Sequence, residues 1–78
     1  MPVTDVREVG SAIRERRAEL GLTISQLAVR SGVSIRLISE LERGKRPGVT
    51  FSSLLRILTM IGLDLEIARR SGMGGPSV

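Results

Sequence analysis

The sequence predicts an all-α fold of four to five short helices with one C-terminal β-strand. Three observations lead there. Apolar residues recur at helical spacing in segments opened by a capping residue and closed by a glycine. The period changes once, to strict alternation, over Leu63–Ala68. The apolar residues make up 41% of the 78 positions and are mostly Leu, Ile, Val and Ala, with Phe51 the single aromatic. That composition suits helices better than a sandwich or a barrel.

The elements follow in order. Residues 1–4 read as a flexible N-terminus. From Asp5 the pattern is helical: Val6, Val9, Ile13 and Leu20 share one face, Arg14, Glu15, Arg16 and Glu19 lie on others, and Gly21 ends it. Thr23 opens a second helix, ISQLAVRS, and Gln26 sits three residues on, the Thr-x-x-Gln form of the capping box. Leu27 and Ala28 face inward, and Gly32 closes the helix. Ser34 caps a third helix that Gly44 stops. Two short helices joined by a turn of three or four residues containing glycine carry the helix-turn-helix signature.

GKRPG, from Gly44 to Gly48, is a loop, since Pro47 and the glycines forbid helix. Thr50 caps a fourth helix, FSSLLRILTMIG, with an inner face of Leu54, Leu55, Leu58 and Ile61. Phe51, Ile57 and Met60 exceed one inner face and are expected to meet something beyond the chain's own core. LDLEIA then alternates Leu63, Leu65 and Ile67 with Asp64, Glu66 and Ala68, the pattern of a half-buried strand. A lone strand leaves its backbone groups unpaired. The same strand of a second copy would pair it, which makes Leu63, Leu65, Ile67, Ile57 and Met60 the candidate dimerisation residues. The alternative is an extended tail folded back on its own domain. The expected organisation is a domain over 5–62, a dimerisation strand over 63–68 and a disordered tail over 69–78.

Charge and composition narrow the function. The net charge is +4, and eleven of the twelve basic residues are arginine. Guanidinium forks match phosphate oxygens and guanine edges, so the balance points toward nucleic acid. With no cysteine and no histidine, disulfides, a zinc site and nucleophile–histidine catalysis are excluded. No apolar run reaches the ~18 residues of a membrane span, and MPVTDVREV lacks the apolar region of a signal peptide. The expectation is a cytoplasmic, nucleoid-associated protein with no enzymatic activity, no cofactor and no metal. GMGG near the end lacks the strand–helix setting of a nucleotide-binding loop.

The third helix poses the functional question. If Val33, Ile38 and Leu41 point inward, then Ile35, Arg36, Ser39, Glu40 and Arg43 point outward together. An isoleucine among arginines is an odd choice for a surface that meets only water.

RRAELGLT, QLAVRSGVS and ISELERGKRP, followed by LLRILTMIGL, resemble the Cro/C1-type helix-turn-helix domain, also called the xenobiotic-response-element type, from about Val9 to Leu63. The resemblance implies a lambda-repressor-like helix-turn-helix fold and a dimeric repressor whose third helix enters the major groove of double-stranded DNA. Carried over by position, the base-reading residues are Ser34, Ile35, Arg36 and Glu40. Many members have Gln or Asn at these sites. Ile35 offers only apolar contact, for instance to a thymine methyl, and Arg36 suits guanine. Glu40 either accepts from a cytosine amino group or orients Arg36 or Arg43. The family's phosphate-holding Gln is replaced by Ile24, leaving Thr23 and Ser25 with the helix-start amides, and Arg43, Lys45 and Arg46 beyond the third helix. The resemblance also implies a structural ion pair between Arg17 and Glu42.

A fourth helix running straight into L-x-L-x-I is similar to the HipB-like antitoxins. That subclass pairs its C-terminal strands across a dimer, represses its own operon and neutralises a HipA-like kinase toxin. A stand-alone host or phage regulator is the near alternative. A helix-turn-helix interaction module without DNA binding is the alternative from another class.

Overall fold

The computed structural model describes residues 5–46 and 48–66. Among them the chain forms four helices: α1 (Val6–Glu19), α2 (Ile24–Ser31), α3 (Ile35–Glu42) and α4 (Phe51–Met60). Each begins on a residue that can cap. Asp5 accepts from the backbone N–H groups of Arg7 and Glu8 at 2.8 and 3.2 Å. Its carboxyl lies below the ordinary value, chiefly through the Arg7 side chain. Thr23 and Gln26 complete a reciprocal capping box. Ser34 and Thr50 accept from Leu37 and Ser53.

The ends share one solution. At α3, the Gly44 N–H donates to the Leu41 carbonyl at 2.9 Å and the Lys45 N–H to the Glu40 carbonyl at 2.8 Å. This is the Schellman pattern, and it requires the left-handed φ of +73° that Gly44 adopts. The same pair of bonds ends the other three helices.

The core is aliphatic: Val9 and Ile13 of α1, Leu27 and Ala28 of α2, Ile38 and Leu41 of α3, and Ile57, Leu58 and Ile61 in and after α4. A fully buried Leu or Ile contributes about 1.5–3 kcal/mol of transfer free energy, so this small set carries much of the fold's hydrophobic stabilisation. α1 packs on α3, α3 on α2 and α2 on α4. Arg16 also ties α1 to the end of α4, donating from Nε to the Ile61 carbonyl at 2.8 Å. No helix of the described residues is long and apolar enough to cross a membrane.

Three details differ from the sequence reading. In α4, Ile57 is fully buried in the core of its own chain and Leu55 is exposed, so the two exchange places. A helix of this length turns far enough for Ile57, Leu58 and Ile61 to form one stripe, with Leu54 at its edge. Ile57 is therefore a core residue and not part of an outward dimerisation surface. Leu20 is the C-cap of α1 and is exposed, because the chain leaves the helix there. The expected strand forms no ladder over 63–66, and Leu63 and Leu65 are half-buried against the chain's own core. Ile67 and Ala68 lie outside the described residues, as do the expected flexible N-terminus over 1–4 and the tail over 69–78.

Candidate nucleic-acid interface

The interface begins with the turn between α2 and α3. Gly32 reverses the chain at φ +70°. Its bonds to the end of α2 and the Ser34 cap on α3 define both helix ends within three residues. Leu27, Ala28, Ile38 and Leu41 then lock α2 to α3 through the core. α3 is thus held by its inner side, and its outer side stays accessible.

That outer side carries the expected residues. Ile35 is 53% exposed, and the Arg36 side chain 83%. Ser34 and Arg43 are also exposed, and Ser39 is half-buried. The Ser34 hydroxyl oxygen is engaged as the α3 cap, accepting from the Leu37 N–H at 3.0 Å, which leaves its own proton and one further lone pair for an outside partner.

Glu40 is the junction of the site. Its Oε2 accepts from Arg36 Nε at 3.0 Å, one turn back along α3. Its Oε1 lies 2.9 Å from Arg46 Nε, across the loop that follows α3. The Arg36 guanidinium, with further attraction from Arg46 and Arg43, holds the Glu40 carboxyl below its ordinary 4.5. A carboxyl lowered by folding stabilises the fold above its unfolded value, and that contribution is lost as the pH falls through the lowered one. The base-reading candidates Arg36 and Glu40 and the phosphate candidate Arg46 are therefore joined in one cluster. The sequence reading named Arg36 and Arg43 as partners for Glu40; Arg46 replaces Arg43 because the Schellman turn brings the loop back over Glu40.

The remaining phosphate candidates sit around this cluster or at the start of α2. Lys45 is exposed, one residue from Arg46, with its backbone N–H bound to the Glu40 carbonyl. Thr23 and Ser25 are exposed at the α2 N-terminus. The capping box engages the Thr23 N–H and the Gln26 N–H, so neither is left for a ligand. Ile24 is half-buried and packs against the core, which accounts for an apolar residue at this place.

The Arg17–Glu42 pair lies behind the interface. Arg17 Nε and Nη2 donate to Glu42 Oε2 and Oε1 at 2.7 and 2.9 Å, and Nη1 donates to the Leu22 carbonyl at 2.8 Å. The Glu42 side chain is 6% exposed and that of Arg17 16%. One guanidinium thus joins α1, the α1–α2 turn and the end of α3. Hydrogen bonding to Glu42 raises the Arg17 guanidinium above its ordinary value.

Met60 is exposed, as are Phe51 and Leu55 on α4. Met60 and Leu55 line a groove of about 330 Å³ with Arg30, Ser31, Arg56 and Thr59. Gly10, outside the residues expected from the sequence to matter, is buried where α1 crosses α3. Its signal is a glycine inside an otherwise good helical pattern, a mark of close backbone approach.

A family model described as a helix-turn-helix domain matches residues 8–71. No curated protein matches the chain.

Proposed function

The chain belongs to the helix-turn-helix domain family, and from that premise we propose that it is a sequence-specific repressor that binds double-stranded DNA as a homodimer. The family membership supports a DNA-binding regulator related to the Cro/C1 type. The carrying observation is the outer side of α3. An exposed isoleucine and arginine stand at its start, a basic loop stands at its end, and Glu40 links Arg36 to Arg46 between them on a helix packed into the core.

In this reading α3 enters the major groove. Ile35 meets thymine methyl groups and Arg36 reads guanine. Arg43, Lys45 and Arg46 bind phosphates on one side and the start of α2, with Thr23 and Ser25, on the other. Phosphate contacts alone give a small module an affinity near 10⁻⁴ to 10⁻⁶ M at physiological salt. Two linked modules gain further orders of magnitude through effective concentration. Exposed Phe51, Leu55 and Met60 support an apolar contact between copies, and Leu63, Leu65 and Ile67 would add a paired strand. Sedimentation at micromolar concentration should give a dimer mass; a monomer would remove this part.

The narrower role is that of an autoregulating antitoxin of a HipBA-like module. It rests on the resemblance of helix and L-x-L-x-I to the HipB-like proteins. A kinase-like reading frame beside the gene supports it; its absence favours a stand-alone regulator.

The deciding experiment is an anisotropy titration with duplex DNA from upstream of the gene and a scrambled duplex. Wild type should prefer the upstream DNA. Arg36→Ala should lose about ten- to a hundredfold on it, the worth of one bidentate base contact of about 1–3 kcal/mol. An unchanged preference in the variant would take Arg36 out of the reading role. No binding to any duplex at low salt would leave the interaction module standing instead.

A further inference from the structure

A surface built for phosphate gains nothing from a carboxylate at its centre, yet Glu40 lies among Arg36, Arg43, Lys45 and Arg46. Its two oxygens serve two different arginines, Oε2 facing Arg36 Nε at 3.0 Å and Oε1 facing Arg46 Nε at 2.9 Å. The Glu40 side chain is 20% exposed, beneath arginines that are far more open. Its backbone carbonyl also accepts the Lys45 N–H, so the basic loop is anchored to the same residue. To the two guanidinium groups this carboxylate offers what a phosphate would: two anionic oxygens at hydrogen-bonding distance.

We propose that Glu40 is a specificity-determining residue, an internal stand-in for phosphate that keeps Arg36 and Arg46 engaged and so suppresses binding to arbitrary duplex DNA. The inference rests on the DNA-binding reading above. Arbitrary duplex offers phosphates: one that takes the Nε–H of either arginine must displace Glu40, and one that takes only the Nη groups must approach the like charge of its carboxylate, whereas a guanine edge carries no net charge. A guanine edge asks for something different. The bond to Glu40 runs through Arg36 Nε, which leaves Nη1 and Nη2 for the bidentate contact with O6 and N7. The ion pair therefore survives specific readout and also fixes the direction of the fork. At Arg46 the repulsion is met in either complex; at Arg36 it is met only in the nonspecific one, where a phosphate replaces the uncharged guanine edge.

The test uses the full chain and a short random-sequence duplex, titrated from about 50 to 200 mM salt, a range over which phosphate contacts are strongly weakened. Glu40→Gln should tighten binding about tenfold at the low end and steepen the log–log salt dependence by about one to two, as the freed arginines displace counterions. Glu15→Gln makes the same change in net charge on the exposed side of α1, and should change affinity less than about twofold, since distant exposed charges are screened. In an Arg36→Ala/Arg46→Ala background, Glu40→Gln should give no gain. Glu40→Asp, which keeps the charge but shortens the reach, should fall between wild type and Gln, and carries the test if the Gln variant fails to fold. Wild-type slope and affinity in Glu40→Gln, an equal gain from Glu15→Gln, or a gain that persists without the two arginines would each overturn the proposal. Failure of wild type to bind any duplex would overturn the DNA reading beneath it, a result distinct from the others.

Discussion

Glu42→Ala is expected to destabilise the fold by about 3 kcal/mol, near the lower end of the cost of breaking a buried ion pair. The reason is what the substitution leaves behind. Glu42 receives two donors of Arg17 at 2.7 and 2.9 Å, and its side chain is 6% exposed. Removing it leaves a guanidinium held in place by the Leu22 carbonyl, with its charge only partly reached by water. The 16% exposure of Arg17 keeps the cost at the lower end, because water reaches part of the guanidinium where the Leu22 carbonyl holds it. Glu40→Ala is the informative comparison. It also removes a carboxylate with two arginine partners, but those arginines sit at the surface and lose little when released into water. With an m-value of about 1 kcal/mol/M for a small domain, the urea midpoint of Glu42→Ala should fall by about 3 M and that of Glu40→Ala far less. Equal midpoints would show that the Arg17–Glu42 pair holds nothing together.

The contrast between two glutamates two residues apart shows what a sequence reveals and what it hides. Periodicity and capping chemistry are local, so the four helices, the caps at Thr23, Ser34 and Thr50 and the turn at Gly32 are legible from residue order alone. The outward set on α3 followed from the same periodicity once its inner residues were assigned. Two kinds of fact were not local. Which of several arginines meets Glu40 depends on how the loop returns after Gly44, and Arg46 wins over Arg43 by tertiary geometry. Which of Leu55 and Ile57 enters the core depends on the rotation of α4 against α2, and a helix with apolar residues on more than one side carries too little contrast to specify it. The alternation over Leu63–Ala68 raises a third limit. A period of two states a readiness to pair, but the partner that would complete a ladder is not encoded in the period.

The position with the least sequence signal is expected to show the second large effect. Gly10→Ala should destabilise the fold by about 2–3 kcal/mol, as overpacking of a well-fitted contact does. On propensity alone the substitution should stabilise α1 by about 1 kcal/mol, so the sign of the result decides which effect governs. A Cβ at position 10 would collide with the carbonyl oxygen of Leu41 and lie 3.0 Å from its carbonyl carbon and 3.3 Å from the Glu42 Cα. These are backbone atoms and cannot swing aside as the end of a side chain does. The carbonyl in the way also accepts the Gly44 N–H that ends α3, so pushing it moves the start of the basic loop. Separation of α1 from α3 would stretch the Arg17–Glu42 pair, which spans the same crossing. The contact is therefore coupled to both the stability of the fold and the placement of Arg46 and Lys45. Ser11→Ala, one residue along on the exposed side of α1, isolates the propensity gain and should leave the urea midpoint unchanged or slightly raised. A Gly10→Ala protein at or above the wild-type midpoint would mean that the helices can separate at no cost, and the close crossing would lose its structural role.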